Sequence, residues 1–137
     1  MNYLEALNKR YSVKRFDTEK TVSADALYHI LEAARLSASS LGLQPYKILI
    51  VESPALKEQL IPAFYNPSQI STCSHLIVIV SKNNIEPQYI GDYFSNISQT
   101  REVPLESLNP FKESISSHIE KLSADEVMTW ADKQCYI

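Results

Sequence analysis

Glycine occupies only two of the 137 positions, Gly42 and Gly91, far below the average usage of about 7%. Glycine alone enters the left-handed backbone region without steric cost, so this chain can build few tight backbone cradles. The dinucleotide fingerprint GxGxxG and the phosphate loop GxxxxGK[ST] are both excluded, because each needs closely spaced glycines. Any phosphate this chain holds must be held by side chains.

A chain of this length is expected to form one domain over residues 1–137 and to bury roughly two-thirds of its unfolded surface. Lysine and arginine number 13 against 16 acids, a net charge of −3, which argues against broad binding to nucleic acid or to an anionic membrane. An anion site would have to be local. Cys73 and Cys135 form neither a CxxC nor a pairing pattern, so no disulfide framework and no metal cluster is expected. The start lacks a secretory pattern and no stretch approaches the roughly 18 apolar residues of a membrane span, so a cytoplasmic protein is expected.

Along the chain, Asn2 can cap a short helix, and Arg10 to Phe16 reads as extended. Ser23 caps a second helix, in which Leu27, Ile30, Leu31 and Ala34 form one apolar stripe expected to face the core. Tyr46 to Val51 and His75 to Val80 are apolar, β-branched runs expected to be buried strands at the sheet's centre. Ser53-Pro54 starts a helix between them, with Leu56, Leu60 and Ile61 as its buried stripe. Residues 83–108 read as mixed helix and loop. Asn109-Pro110 and the capping box Ser123 to Glu126 start two further helices. The last carries Val127, Ala131 and Cys135 up to Ile137 with no stop signal, which predicts a truncated chain with an uncovered apolar stripe.

Three groups of residues carry chemistry. In an extended segment side chains alternate, so Arg10, Ser12 and Lys14 share one side while Tyr11 and Val13 take the other. A guanidinium, a hydroxyl and an ammonium in a row can grip a phosphate; a solvated basic edge has the same pattern. The Ser37 to Pro45 loop offers hydroxyls to a ligand or simply ends a helix, with Gly42 taking a positive φ. It has no GxSxG elbow, which argues against a nucleophilic serine. Asn66 and Gln69 can both donate and accept toward a planar imide-like edge, or sit in a surface turn at Asn66-Pro67. His75 opens an apolar strand and is expected to be a satisfied histidine at the core's edge.

Taken in order, Arg-x-Ser-x-Lys at Arg10 to Lys14, Ser-x-Ser-Ser-x4-Gln-Pro at Ser37 to Pro45 and Asn-x-x-Gln at Asn66 to Gln69 resemble the nitroreductase family. Trp130-Ala131-Asp132-Lys133-Gln134 resembles a late helical segment of the same family. The resemblance implies an α+β sandwich with helices packed on a mixed β-sheet, and a homodimer with FMN at its interface. It implies Arg10 and Ser12 on the FMN phosphate or ribityl chain, and Lys14 on the pyrimidine carbonyl, where its cation favours the reduced ring. Ser39 and Ser40 would come from the second subunit, with Gln44 in the same loop. Asn66 would meet the pyrimidine edge, Gln69 would stand where several relatives have lysine, and Tyr11 would serve as a wall. The implied activity is transfer of hydride from NAD(P)H through FMN to a nitroaromatic, quinone or similar small acceptor. The alternatives are a non-catalytic flavin- or phosphate-binding fragment, or a dehalogenating or flavin-destroying relative on the same fold. The resemblance also implies that family members extend beyond Ile137.

Overall fold

The computed structural model describes residues 2–136. Its helices begin where side chains can take up otherwise unpaired backbone N–H groups. The Asn2 side chain accepts the Leu4 N–H at 3.1 Å ahead of α1 (Tyr3–Lys9), and Ser23 Oγ accepts the Ala26 N–H at 3.2 Å ahead of α2 (Ala24–Leu36). Proline at the first turn, where its missing N–H costs nothing, starts α3 (Pro54–Leu60), α4 (Pro67–Thr72) and α5 (Pro87–Arg101). A 3₁₀ turn, Leu105–Leu108, leads into α6 (Asn109–Glu120), and Ser123 with Glu126 closes a reciprocal capping box on α7 (Ala124–Gln134).

That box supplies a direct test. Ser123→Ala removes the hydroxyl that accepts the Glu126 N–H and is expected to cost about 1 kcal/mol, read as a lower urea midpoint. The Ser123 backbone N–H, and then its hydroxyl, hold the Glu126 carboxyl below its usual pKa. A depressed carboxyl contributes stability above its unfolded pKa and loses it as pH falls through the folded one. Glu126→Gln should therefore flatten part of the acid limb of stability.

Strands β1 (Tyr46–Val51) and β2 (Leu76–Ser81) form a two-stranded sheet. The Lys82 N–H donates to the Pro45 carbonyl at 2.8 Å, which sets the end of β2 beside the start of β1, the antiparallel sense. Within the described residues the sheet is thus an antiparallel pair, where a mixed sheet was expected. It is also less covered than its apolar run suggested: Leu49 is 48% exposed, Ile77 40% and Ile79 46%. Alternate residues of a strand point to opposite faces, but no residue of either strand is buried: the better-covered positions are only half-buried.

The chain falls into two compact units, Met1–Ile30 with Ile50–Val78, and Leu31–Leu49 with Ile79–Ile137. The first holds α1, α3 and α4, with buried Ile70 and Lys57. The second holds α5, α6 and α7 around Leu43, Ile85, Ile90, Phe94, Ile115, Ile119 and Val127. Several expected apolar stripes differ. No residue of α2 is buried, and in α3 Leu56 is exposed while Lys57 is buried. Conversely, Val127 and Ala131 of α7 are buried and not left uncovered, because α5 and α6 supply the apolar surface that the stripe needs. Most of the stretch read as mixed helix and loop is the 15-residue α5, whose Ile90 and Phe94 lie one turn apart in the core.

Candidate functional site

In the first unit, the segment after α1 runs extended from Arg10 (φ −69°, ψ 144°), whose own N–H closes α1 on the Ala6 carbonyl at 3.0 Å. Arg10, Tyr11, Ser12 and Lys14 are exposed, and Val13 is half-buried. Lys14 Nζ donates to Ser12 Oγ at 3.0 Å, so these two share a side as the alternation requires. Arg10 makes no side-chain hydrogen bond or ion pair with any described residue.

Helix α4 holds this segment in place. Gln69 Nε2 donates to the Val13 carbonyl, and the Phe16 N–H donates to Thr72 Oγ1 at 2.9 Å. The single Ser68 hydroxyl proton lies within reach of both the Lys14 carbonyl (2.9 Å) and Asn66 Oδ1 (2.7 Å). The structure therefore brings Ser12, Lys14, Asn66 and Gln69 into one local arrangement, with Arg10 on the same extended segment two residues before Ser12. Gln69 spends its amide nitrogen on the backbone and keeps its carbonyl oxygen, while Asn66 keeps its amide nitrogen. Sequence reading missed Ser68 and Thr72; their spacing of four on one helix face beside Gln69 was the available signal. At the other end of α4, Lys57, only 8% exposed, donates its ammonium hydrogens to the Cys73 and Ser74 carbonyls. His75 Nε2 lies 3.0 Å from Glu52 Oε1 and its Nδ1 2.9 Å from Ser74 Oγ, so the histidine is satisfied, as its position suggested.

In the second unit, the serine loop centres on a 3₁₀ turn, Ser40–Gly42. Ser39 Oγ accepts the Gln44 N–H at 3.0 Å, and the Ser40 N–H donates to Gln134 Oε1 at 2.7 Å. The Gln44 amide donates to the Arg35 and Ser37 carbonyls at 2.9 and 3.2 Å, closing the end of α2. The single Tyr89 hydroxyl proton lies within reach of both the Leu43 and Gln44 carbonyls, at 2.8 and 3.0 Å. Burial, reinforced by the nearby Tyr46 hydroxyl, raises the Tyr89 pKa, which keeps its hydroxyl a donor. Gly42 (φ +72°) is required twice over, since a Cβ there would lie 2.3 Å from Tyr93 Oη. A cleft of about 480 Å³ in this unit, walled by Ile85, Ile90, Ile119 and Val127, is lined by none of the expected cofactor residues.

Residues 7–83, which include every residue from Arg10 to Gln69 expected at the cofactor, match the model of the nitroreductase family. The chain belongs to the nitroreductase family. It is 33% identical over 141 aligned residues to the provisionally named NAD(P)H nitroreductase YfkO of Bacillus subtilis, covering 98% of this chain and 64% of that protein. A provisionally named NAD(P)H nitroreductase of Staphylococcus haemolyticus is also 33% identical, with 98% of this chain and 63% of the relative covered. The chain thus spans slightly less than two-thirds of the length of these relatives. A provisionally named nitroreductase from Exiguobacterium sibiricum, solved in complex with FMN, superposes with a TM-score of 0.81 at 23% identity, covering 99% of this chain and 65% of the other. The fold is the α+β nitroreductase fold. Among the described residues no helix is long and apolar enough to cross a membrane, and no group of three His, Cys, Asp or Glu could hold a metal ion.

Proposed function

We propose that this chain is the FMN-holding part of a homodimeric oxidoreductase that passes hydride from NAD(P)H to a nitroaromatic, quinone or similar acceptor in the cytoplasm. One observation carries the reading: the exposed row Arg10, Ser12, Lys14, held at its backbone by α4 beside Asn66. The donor set fits FMN. Arg10 offers an unpaired guanidinium fork for a terminal phosphate dianion, and Ser12 adds a hydroxyl for the phosphate or ribityl chain. No glycine turn is available for the pyrophosphate of FAD. FMN, when bound, supplies the hydride-accepting and hydride-donating chemistry that no side chain here can provide.

The residues then divide the work of binding. Lys14 sets a cation beside the pyrimidine carbonyl, and Asn66 directs its amide nitrogen to the same edge. Gln69 offers its remaining carbonyl oxygen to ribityl hydroxyls, and Tyr11 walls the site. Ser39 and Ser40 reach the cofactor of a second copy, with Gln44 shaping their loop.

The test is an FMN titration of the purified chain by flavin fluorescence, followed by an NADPH oxidation assay with a quinone acceptor. Binding with turnover supports the full reading; binding without turnover reduces it to a flavin-binding module, and no binding overturns it. Lys14→Ala should make the bound flavin's reduction potential more negative, because a cation beside the pyrimidine favours the reduced form. For a two-electron couple, losing about 1.4 kcal/mol of that preference shifts the potential by about 30 mV. An unchanged potential removes Lys14 from the role.

A further inference from the structure

The serine loop has a backbone that its own sequence does not favour. Leu41 (φ +60°) and Gln44 (φ +44°) both sit in the left-handed region, flanking Gly42. Side-chain-bearing residues seldom adopt that region, and such conformations persist only where surrounding contacts over-determine them. Here the contacts come from far along the chain. Tyr93 Oη donates to the Leu41 carbonyl at 3.3 Å, Tyr89 Oη holds the Leu43 and Gln44 carbonyls, and Gln134 Oε1 accepts the Ser40 N–H.

Gln134 differs from the two tyrosines. It is the last residue of α7, only 6% exposed, and its Nε2 donates to the Trp130 carbonyl at 3.2 Å. A polar side chain at that depth is retained at a desolvation cost unless both ends of its amide are bonded. Its donor end is satisfied one turn back on its own helix, which fixes the amide's orientation and aims the carbonyl oxygen at Ser40. With that N–H drawn inward, the Ser40 residue itself stays exposed.

We propose that Gln134 is a positioning residue: it locks the strained Ser39–Gln44 loop in the one conformation that presents the two serines to a ligand. The proposal deepens the FMN reading above and rests on it for the identity of that ligand. The loop's rigidity can be tested without it. Gln134→Met keeps side-chain length and removes the acceptor, whereas Gln134→Glu keeps an acceptor oxygen facing Ser40. Hydrogen exchange of the residue 39–44 amides is measured on the full chain, together with FMN affinity and the urea midpoint.

Gln134→Met should speed exchange at Ser40 at least tenfold and weaken FMN severalfold, while Gln134→Glu, which keeps the acceptor toward Ser40 but loses the donor to the Trp130 carbonyl, should fall between Gln134→Met and wild type in both. Tyr93→Phe, which removes one hydroxyl and leaves the ring, should loosen the same loop and serves as the second probe if Gln134→Met does not fold. Exchange at Ser40 that is unchanged in both variants overturns the proposal. So does faster exchange with unaltered FMN affinity. If the wild-type chain binds no FMN, the cofactor reading fails, and the exchange measurements still decide whether Gln134 holds the loop.

Discussion

Phe94→Ala is expected to lower the free energy of unfolding by about 3–5 kcal/mol, the usual cost of emptying a buried aromatic site. Phe94 has no exposed surface and lies in the second unit's core with Ile90, Ile115 and Val127. Its ring packs edge-to-face on Tyr93 (5.2 Å between centroids, 75°) and on Phe111 (5.5 Å, 80°), a geometry that adds about 0.5–1.5 kcal/mol per pair beyond burial. Alanine would leave a cavity bounded by helices that cannot easily close on it. Because whole-domain stabilities are about 5–15 kcal/mol, this one change should bring the unit close to unfolding. Urea denaturation followed by circular dichroism measures it, and a loss under about 1 kcal/mol would show that the core is not organised around Phe94. Tyr93 would lose its stacking partner as well, so the Leu41 carbonyl contact should weaken with it.

Arg10→Ala carries the second large effect. Arg10 is exposed and unpaired among the described residues, so its loss should hardly alter stability. A guanidinium bond to a phosphate contributes about 1.5–3 kcal/mol, so FMN should bind roughly tenfold to a hundredfold more weakly. Riboflavin, which lacks the phosphate, should bind as before. Parallel titrations of the two flavins with wild type and variant decide the matter: equal losses for both would place Arg10 away from the phosphate.

The local features were legible because their causes are local. Asn2, Ser23, Ser53 and Ser123 cap the helices they were expected to cap, since an N-cap acts over two or three residues. Ser12 and Lys14 share a side for the same reason, as the bond between them records. Helix α5 was obscured by its many polar residues, although Ile90, Phe94 and Ile97 recur at helical spacing; its stability comes from packing on α6 and α7 more than from its own propensity.

From sequence alone come the absence of glycine-built phosphate loops, the helix starts, the two strands and the row of cationic and hydroxyl donors, all consequences of neighbouring residues and their stereochemistry. Only the tertiary structure decided which apolar stripes are covered. Only it could show Gln69, Ser68 and Thr72 holding the Val13 to Phe16 backbone from more than 50 residues away, or Gln134 reaching Ser40 across 94 positions. A side chain's partner at that separation is set by how helices pack, and periodicity, which records only which face is apolar, does not specify what that face meets.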